Sequence, residues 1–177
     1  MKATGMAGAG NKDKAEVHSG AVQLPKAPGT YALILRCDAP DRRQVGALGS
    51  IEIRPGYYIY VGSALGPGGI RARVSRHLRK AGKLHWHIDY LRPNMPVVEI
   101  WFAEAALNLE HAWAEGLRQW DLTGIPAAGF GASDCRCESH LFYCDARPML
   151  EHIRERLVSP VRQRTTVRSV TPDHRAF

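Results

Sequence analysis

The sequence predicts a single α/β (α+β) domain in which helices flank a small, mostly antiparallel sheet. Two observations lead to this class. Short apolar runs bounded by Gly, Pro and Asp recur along the chain, as expected for strands joined by turns. Two longer segments, 70–80 and 107–120, repeat their apolar residues at the helical period. A chain of 177 residues is long enough to bury the core of one such domain.

Three strands are predicted in the first part of the domain. Residues 32–37 form an apolar run, residues 48–54 alternate in part, and residues 57–61 are aromatic and β-branched. Residues 41–44 indicate a polar turn, and a Pro-Gly pair at 55–56 indicates a second one. Because short connections favour neighbouring strands, these three are expected to form an antiparallel meander.

A glycine-rich turn then leads into a basic helix predicted over 70–80. Three apolar residues share its buried face: Ile70, Val74 and Leu78. Arg73 and His77 are expected together on the border of that face, whereas Arg76 and Arg79 are expected to point to solvent. A border position suits a site residue, because the side chain is anchored beneath and exposed above.

The second half of the domain contains the remaining predicted elements: a strand over 97–103, a helix over 107–120, a glycine-rich loop over 124–138, a strand over 140–144 and a helix over 148–157. The segment 84–91 is compatible with either a turn of helix or an extended chain. On the helix 107–120, Glu110 falls at the edge of the buried face and Glu115 on the solvent side. A loop as long as 124–138 in a compact domain is usually functional.

Composition divides the chain into three parts. Residues 1–25 are rich in Ala, Gly and Lys and indicate a disordered leader, 26–158 form the domain, and 159–177 indicate a basic flexible tail. No run approaches the roughly 18 apolar residues that a membrane span needs. Residues 1–20 also lack the apolar core of a signal peptide. We therefore expect a cytoplasmic protein with no membrane partner.

The charge of the chain predicts an anionic partner. The net charge is +7 and the isoelectric point is about 9.5. Residues 71–92 hold seven Lys and Arg against a single acid, Asp89, so this segment alone contributes +6. Such a charge suits nucleic acid first and an anionic membrane surface second, and nucleic acid, with DNA favoured, is the partner that we expect. The expected nucleic-acid-binding residues are Arg71, Arg76, Arg79, Lys80, Lys83, His85 and His87.

Three of the four cysteines lie within ten positions of one another, which indicates thiols or a metal site before disulfides in a reducing compartment. Cys135, Cys137 and His140 form a candidate Zn²⁺ site. The Cys-x-Cys spacing is shorter than zinc sites usually show, and His85 or His87 could complete the ligand set in space. Buried thiols without a metal are the alternative.

The chain resembles the GIY-YIG endonuclease superfamily, and its Uri-type branch (domain of unknown function 123) in particular. Gly29-Thr30-Tyr31 corresponds to the first name-giving tripeptide and Tyr60-Val61-Gly62 to the second. The branch itself is indicated by the segments YVGSALGPGG, RHL, HWHIDYL and FGASDCRCESHLFY. The resemblance covers residues 28–145.

The resemblance implies a GIY-YIG nuclease-like fold and an endonuclease that depends on Mg²⁺ or Mn²⁺. Arg73 matches the arginine of the family's helix, and Glu110 matches its metal-binding glutamate. A single carboxylate suits a hard cation, and Arg73 would supply fixed positive charge at the phosphate. Tyr31 and Tyr60 would bracket the attacking water, with Tyr31 and His77 as alternative bases. A tyrosine acts as a base only if a nearby cation lowers its pKa.

Three departures from the family pattern bear on these expectations. The 28 residues 32–59 separate Tyr31 from Tyr60, which implies an inserted loop or hairpin. Thr30 replaces the name-giving Ile. The family's late asparagine has no clear counterpart, and Ser133-Asp134 occupies that region. Two other functions therefore remain open: a non-catalytic nucleic-acid-binding module with the same fold, and a zinc-stabilised adaptor that uses the cysteine loop.

Overall fold

The computed structural model describes residues 23–79, 84–157 and 166–172. The predicted leader therefore lies almost entirely outside the described residues. The same holds for Lys80, Lys83 and much of the predicted tail.

The described chain forms seven strands and four α-helices. The strands are β1 Gly29–Cys37, β2 Asp41–Val45, β3 Gly49–Ile53, β4 Gly56–Ala64, β5 Val97–Glu104, β6 Leu141–Cys144 and β7 Arg168–Val170. The helices are α1 Gly69–Leu78, α2 His87–Leu91, α3 Glu110–Arg118 and α4 Leu150–Leu157. Five strands make one antiparallel sheet in the order β6-β4-β1-β5-β7. The predicted α+β class is confirmed.

The predicted three-strand meander is wrong. β1 pairs directly with β4 over its whole length, from Gly29 opposite Ala64 to Cys37 opposite Gly56. Residues 41–44, predicted as a turn, belong to β2, which forms a separate hairpin with β3. The paired strands β1 and β4 are apolar on both faces, so other elements must cover each face. The hairpin instead has charged residues on its outer side, such as Arg42, which pairs with Glu52. The insertion between the motif tyrosines is thus a hairpin.

Alternation along the central strands separates two apolar cores. Tyr31, Leu33 and Leu35 of β1 face one core, which is covered by α1, α2 and the β2–β3 hairpin. Ala32 and Ile34 face the other, which is covered by α3 and α4. This period-two division is the direct consequence of strand geometry. It places α1, with its arginines, on the same face of the sheet as the two motif tyrosines.

Two segments take a form that the sequence left open or assigned differently. Residues 87–91 of the ambiguous stretch 84–91 are helical, as α2. Arg168–Val170 lies in the segment assigned to a flexible tail, yet it pairs with β5 as an edge strand, opposite Ile100, Trp101 and Phe102. The neighbouring Val167 is buried in the second core, which explains why this polar segment is held against the sheet.

The start of α1 is fastened to the chain that precedes β1. Ile70 donates its N–H to the Ala27 carbonyl at 3.0 Å, and Arg71 donates to that of Pro25 at 2.9 Å. Gly69 has a φ of +57°, and a Cβ there would lie 2.1 Å from the Ala27 oxygen. Only glycine fits such a position.

Gly69→Ala is therefore expected to lower the free energy of unfolding by at least about 2 kcal/mol, from left-handed strain and backbone overlap together. Urea denaturation measures the change. Gly66→Ala is the matched control from the same turn, because a Cβ there meets nothing within 4 Å, and it should stay within about 0.5 kcal/mol of wild type. Equal effects of the two substitutions would contradict this account of the turn.

Candidate functional site

A cleft of about 470 Å³ opens where the beginning of β1 lies beside the end of β4. Its lining is drawn from both strands, from α1, α2 and α3 and from the glycine-rich loop: Tyr31, Tyr60, Gly62, Ser63, Arg73, His77, His85, Trp86, His87, Glu110, Gly131, Ser133 and Asp134. All five residues predicted to be catalytic are in this set. The structure therefore brings together side chains that are up to 79 positions apart, from Tyr31 to Glu110.

The two motif tripeptides fit against each other across the β1–β4 pair. Tyr31 lies directly opposite Gly62 in the register. A Cβ on Gly62 would lie 2.4 Å from the Tyr31 hydroxyl oxygen, so the missing side chain makes room for the tyrosine ring. The glycine of the second tripeptide is thus required by the tyrosine of the first.

Tyr31 and His77 form a buried hydrogen-bonded pair. The Tyr31 hydroxyl lies 2.8 Å from Nε2 of His77. His77 is only 1% exposed, so the prediction of a border position on α1 is wrong for this residue. The reason is that α2 and Trp86 cover the helix edge that a wheel diagram leaves open; the Trp86 and His77 ring centroids are 5.1 Å apart.

Burial sets the protonation of this pair. Desolvation raises the pKa of Tyr31 well above its ordinary value, and Arg73 opposes that shift without overcoming it. Desolvation also lowers the pKa of His77, despite its contact with Asp89. At neutral pH Tyr31 is therefore protonated and His77 is neutral, and in the tautomer that carries its proton on Nδ1 the ring accepts the Tyr31 hydroxyl at Nε2. Tyr60, largely buried in the same cleft, likewise has a raised pKa because of desolvation.

Asp89, which the sequence analysis did not assign to the catalytic set, lies behind His77. Its Oδ1 is 3.7 Å from Nδ1 of His77, which is too long for a regular hydrogen bond. Its Oδ2 accepts the backbone N–H groups of His85 and Trp86, each at 3.0 Å. Partial burial acts to raise the pKa of Asp89, but His77 and these two N–H groups outweigh it and hold the pKa well below the ordinary value.

Two arginines of α1, Arg73 and Arg76, lie over the ring of Trp86. The guanidinium carbon of Arg76 is 3.6 Å from the ring centroid and that of Arg73 is 4.6 Å away. Arg76 is thus held against Trp86, and near Asp89 at 3.8 Å, instead of pointing freely to solvent as predicted. Within the described ranges Arg73 makes no salt bridge. Its charge is therefore held in position by the tryptophan while its donors remain available to an anion in the cleft.

Glu110 is the first residue of α3 and reaches the cleft from the other core of the domain. Thr30 fixes this helix end, since its buried hydroxyl accepts the N–H of Leu109 at 3.1 Å. A threonine at position 30 therefore provides a hydrogen bond between β1 and the start of α3. Desolvation acts to raise the pKa of Glu110, but contacts with His140, Ser63 and Asn108 outweigh it and lower the pKa. The carboxylate is ionised, and its side chain is 15% exposed.

The predicted nucleic-acid-binding residues divide between the cleft and its surroundings. His85 and His87 line the cleft, and Nδ1 of His87 accepts the backbone N–H of Gly131 at 2.9 Å. Arg71 is partly exposed on α1, Arg79 is exposed directly after this helix, and both lie outside the lining. Lys80 and Lys83 lie outside the described residues. His87 therefore has a structural task, which is to hold the glycine-rich loop against α2.

The glycine-rich loop contributes two groups of residues. Ser133 and Asp134 line the cleft, at the place where the resemblance leads one to look for an asparagine. Cys135, Cys137 and His140 point to a second cluster, and His111 of α3 joins them there. The expectation that His85 or His87 would complete this group is wrong, because both lie on the cleft side of the loop. His111 follows Glu110 directly, and the sequence holds no spacing signal that links it to the cysteines.

Fold and cleft together define a small α+β protein with a polar, titratable site where the beginning of β1 lies beside the end of β4. The chain belongs to the family described as domain of unknown function DUF123, whose model matches residues 30–162. Comparison with curated proteins and with solved structures found no match. Among the described helices, none has the length and apolar character needed to cross a membrane.

The lowered pKa of His77 predicts a pH-dependent stability. Below the unfolded-state pKa near 6.5, the unfolded chain binds a proton that folded His77 resists, so stability should fall as the pH falls from 7 to 5. One such group contributes at most about 1.4 kcal/mol per pH unit. Urea unfolding at several pH values should show a shallower decline in His77→Gln than in wild type. His85→Gln, at an exposed histidine of the same cleft, should retain the wild-type slope, and an unchanged slope in His77→Gln would contradict the assignment.

Proposed function

We propose that this protein is a divalent-metal-dependent endonuclease of the GIY-YIG type that hydrolyses phosphodiester bonds in DNA or structured nucleic acid. One observation carries the proposal: Tyr31, Tyr60, Arg73, His77 and Glu110, chosen for their order along the chain, line a single cleft. Each residue alone has an ordinary structural explanation. Together they place a tyrosine–histidine pair, an arginine that makes no salt bridge within the described ranges and an ionised carboxylate in one cleft, which is what phosphodiester chemistry requires.

The proton would leave the attacking water through the Tyr31–His77 pair. In the proposed step the water gives a proton to the Tyr31 oxygen while the Tyr31 hydroxyl passes its own proton to Nε2 of His77. Asp89, 3.7 Å from the other ring nitrogen, would stabilise the resulting imidazolium. This sequence avoids a tyrosinate, which the raised pKa of Tyr31 disfavours in the absence of another cation. Tyr31 and His77 then act as one relay instead of as competing bases.

Arg73 would stabilise the negative charge that develops on the phosphate oxygens. Its guanidinium lies over Trp86 and forms no salt bridge within the described ranges, so little rearrangement is needed when a phosphate enters. A charge held ready in a partly dehydrated cleft contributes more than one that must first be reoriented. Tyr60, protonated beside it, would orient the water or the phosphate as a hydrogen-bond donor.

The residues fit a single hard cation such as Mg²⁺ or Mn²⁺. Glu110 presents an ionised, partly exposed carboxylate to the cleft, and Asp134 lines the same space. Magnesium sites commonly use one or two carboxylates and take the remaining ligands from water and substrate phosphate. When bound, such an ion supplies positive charge at the scissile phosphate and its leaving group.

Cleavage of supercoiled plasmid in Mg²⁺ or Mn²⁺ tests the proposal. Tyr31→Phe, His77→Gln, Arg73→Ala and Glu110→Gln should each reduce the nicking rate by about 100-fold or more, since each removes a proton-transfer or charge-stabilising group. Gel analysis of relaxed and linear products over time gives the rates.

Two matched controls separate lost chemistry from lost structure. Tyr58→Phe removes a tyrosine hydroxyl from β4 that bonds the Arg54 backbone outside the cleft. Glu115→Gln removes a carboxylate from the exposed side of α3. Both should cut within about twofold of wild type. Metal-independent cutting that is equal in all variants would refute the enzyme and leave a non-catalytic nucleic-acid-binding module.

Binding to duplex DNA in the absence of added Mg²⁺ or Mn²⁺ should depend steeply on salt. Each phosphate contact adds about 0.9 to the slope of log affinity against log salt. Arg71→Ala, on α1, and Arg79→Ala, directly after its last residue, should each reduce that slope by about 0.9, the contribution of one phosphate contact. Arg154→Ala, an exposed arginine of α4 on the opposite side of the sheet, should leave it unchanged. A flat salt dependence in the wild type would argue against binding through the DNA backbone.

A further inference from the structure

Four potential metal ligands converge beside the cleft, on the side of the glycine-rich loop away from α2. They are His111 of α3, Cys135 and Cys137 of the loop, and His140 just before β6. One ligand atom from each lies within 4.8 Å of every other. None of the chain's four cysteines, all within the described ranges, forms a disulfide.

We propose that these four residues bind one Zn²⁺ ion with tetrahedral geometry. Two thiolates and two imidazoles are a common ligand set for structural zinc. Zinc bond lengths near 2.3 Å to sulfur and 2.0–2.1 Å to nitrogen place the ligand atoms of a tetrahedron about 3.3–3.8 Å apart. The observed cluster is slightly wider than that, so closure needs side-chain adjustment and no rearrangement of the fold.

His140 provides the most specific support for the site. Its Nε2 lies 3.5 Å from the sulfur of Cys135, and its Nδ1 lies 3.1 Å from Oε1 of Glu110. A histidine that binds zinc usually directs its other ring nitrogen to a carboxylate, which fixes the ring and its tautomer. His140 is 1% exposed and already has one nitrogen near the Cys135 thiol and the other near the Glu110 carboxylate, although the second contact is not aligned as a hydrogen bond.

The short Cys-x-Cys spacing is compatible with zinc in this fold. A wider spacing usually allows two cysteines of one turn to reach the same ion. Here the loop folds back on itself, with Gly129 donating its N–H to the Glu138 carbonyl at 2.7 Å and His140 donating to that of Phe130 at 2.7 Å. These bonds hold both thiols near His140, while His111 reaches them from a different element.

The ion would tie the loop 124–138 to the first turn of α3. Both segments also supply the cleft, with Ser133 and Asp134 from the loop and Glu110 from the helix. Zinc would thereby act as a cross-link that fixes the positions of the loop and α3 relative to each other. This role concerns the architecture and holds whether or not the cleft cuts nucleic acid.

Zinc content of the full-length protein tests the proposal. The chain should be produced in zinc-supplemented medium and purified under reducing conditions, without chelator or added metal. Elemental analysis should find one zinc per chain. Cd²⁺ added to metal-free protein should give a thiolate-to-metal charge-transfer band that saturates at one equivalent, and Zn²⁺ should raise the melting temperature of that protein by mass action.

Substitutions locate the ion. His111→Gln alters an exposed residue and should leave the fold intact while the protein loses most of its zinc, whereas His85→Gln should retain it. The Cys135→Ser protein should lose zinc. The Cys37→Ala protein should retain it, because Cys37 is buried in the core that α1 and α2 cover. Glu110→Ala removes the carboxylate behind His140 and should weaken zinc affinity by about 10- to 100-fold. Glu115→Ala on the same helix should leave the affinity unchanged.

Three results would overturn the site. They are an absence of zinc with the thiols of Cys135 and Cys137 reactive in the folded protein, a disulfide between Cys135 and Cys137 in the freshly purified protein, and a zinc content that is the same in His111→Gln, Cys135→Ser and wild type. An unchanged affinity in Glu110→Ala would refute the link through His140. These measurements read metal content alone, so failure of the nuclease proposal would not affect them.

Discussion

The antiparallel pairing of β1 with β4 is the constraint on which the site depends. It places Tyr31 opposite Gly62, and the tyrosine ring occupies space that any side chain at position 62 would fill. This contact aims the hydroxyl at His77, because α1 packs on the same face of the sheet. A shift of one residue in the register would turn Tyr31 into the opposite core. The alternation of side chains along β1, the glycine at position 62 and the position of α1 are therefore all needed for the contact between Tyr31 and His77.

A chain of buried polar groups extends from that contact. Tyr31 and His77 are both nearly inaccessible to solvent, and burying such groups is costly unless each has a partner. On its far side His77 faces the carboxylate of Asp89 at 3.7 Å, too far for a hydrogen bond, and that carboxylate also accepts two backbone N–H groups. Desolvation thus determines the protonation of the Tyr31–His77 pair. The helix α2 contributes Asp89, the last group of this chain. Such perturbed groups at a cleft are typical of functional sites.

The first turn of α3 joins two clusters of different chemistry. Glu110 faces the cleft and its neighbour His111 faces the thiols, because successive residues of a helix point about 100° apart. His140 lies between them and contacts both Glu110 and Cys135. The position of this turn is set by Thr30 through its bond to Leu109. Thr30 therefore positions the carboxylate of Glu110, while its neighbour Tyr31 faces the same cleft.

The sequence by itself determined the α+β class, the apolar faces of the helices and the residues whose order along the chain indicated a site, because periodicity and motif spacing are local properties. It did not determine which residues and strands contact one another. In the structure β1 pairs with β4 and not with the next strand along the chain, and His77 is buried beneath Trp86. His111 lies with the cysteines and Asp89 lies behind His77, and no spacing in the sequence predicts either contact. Each of these depends on contacts between distant segments, and local patterns carry no information about which segments will meet.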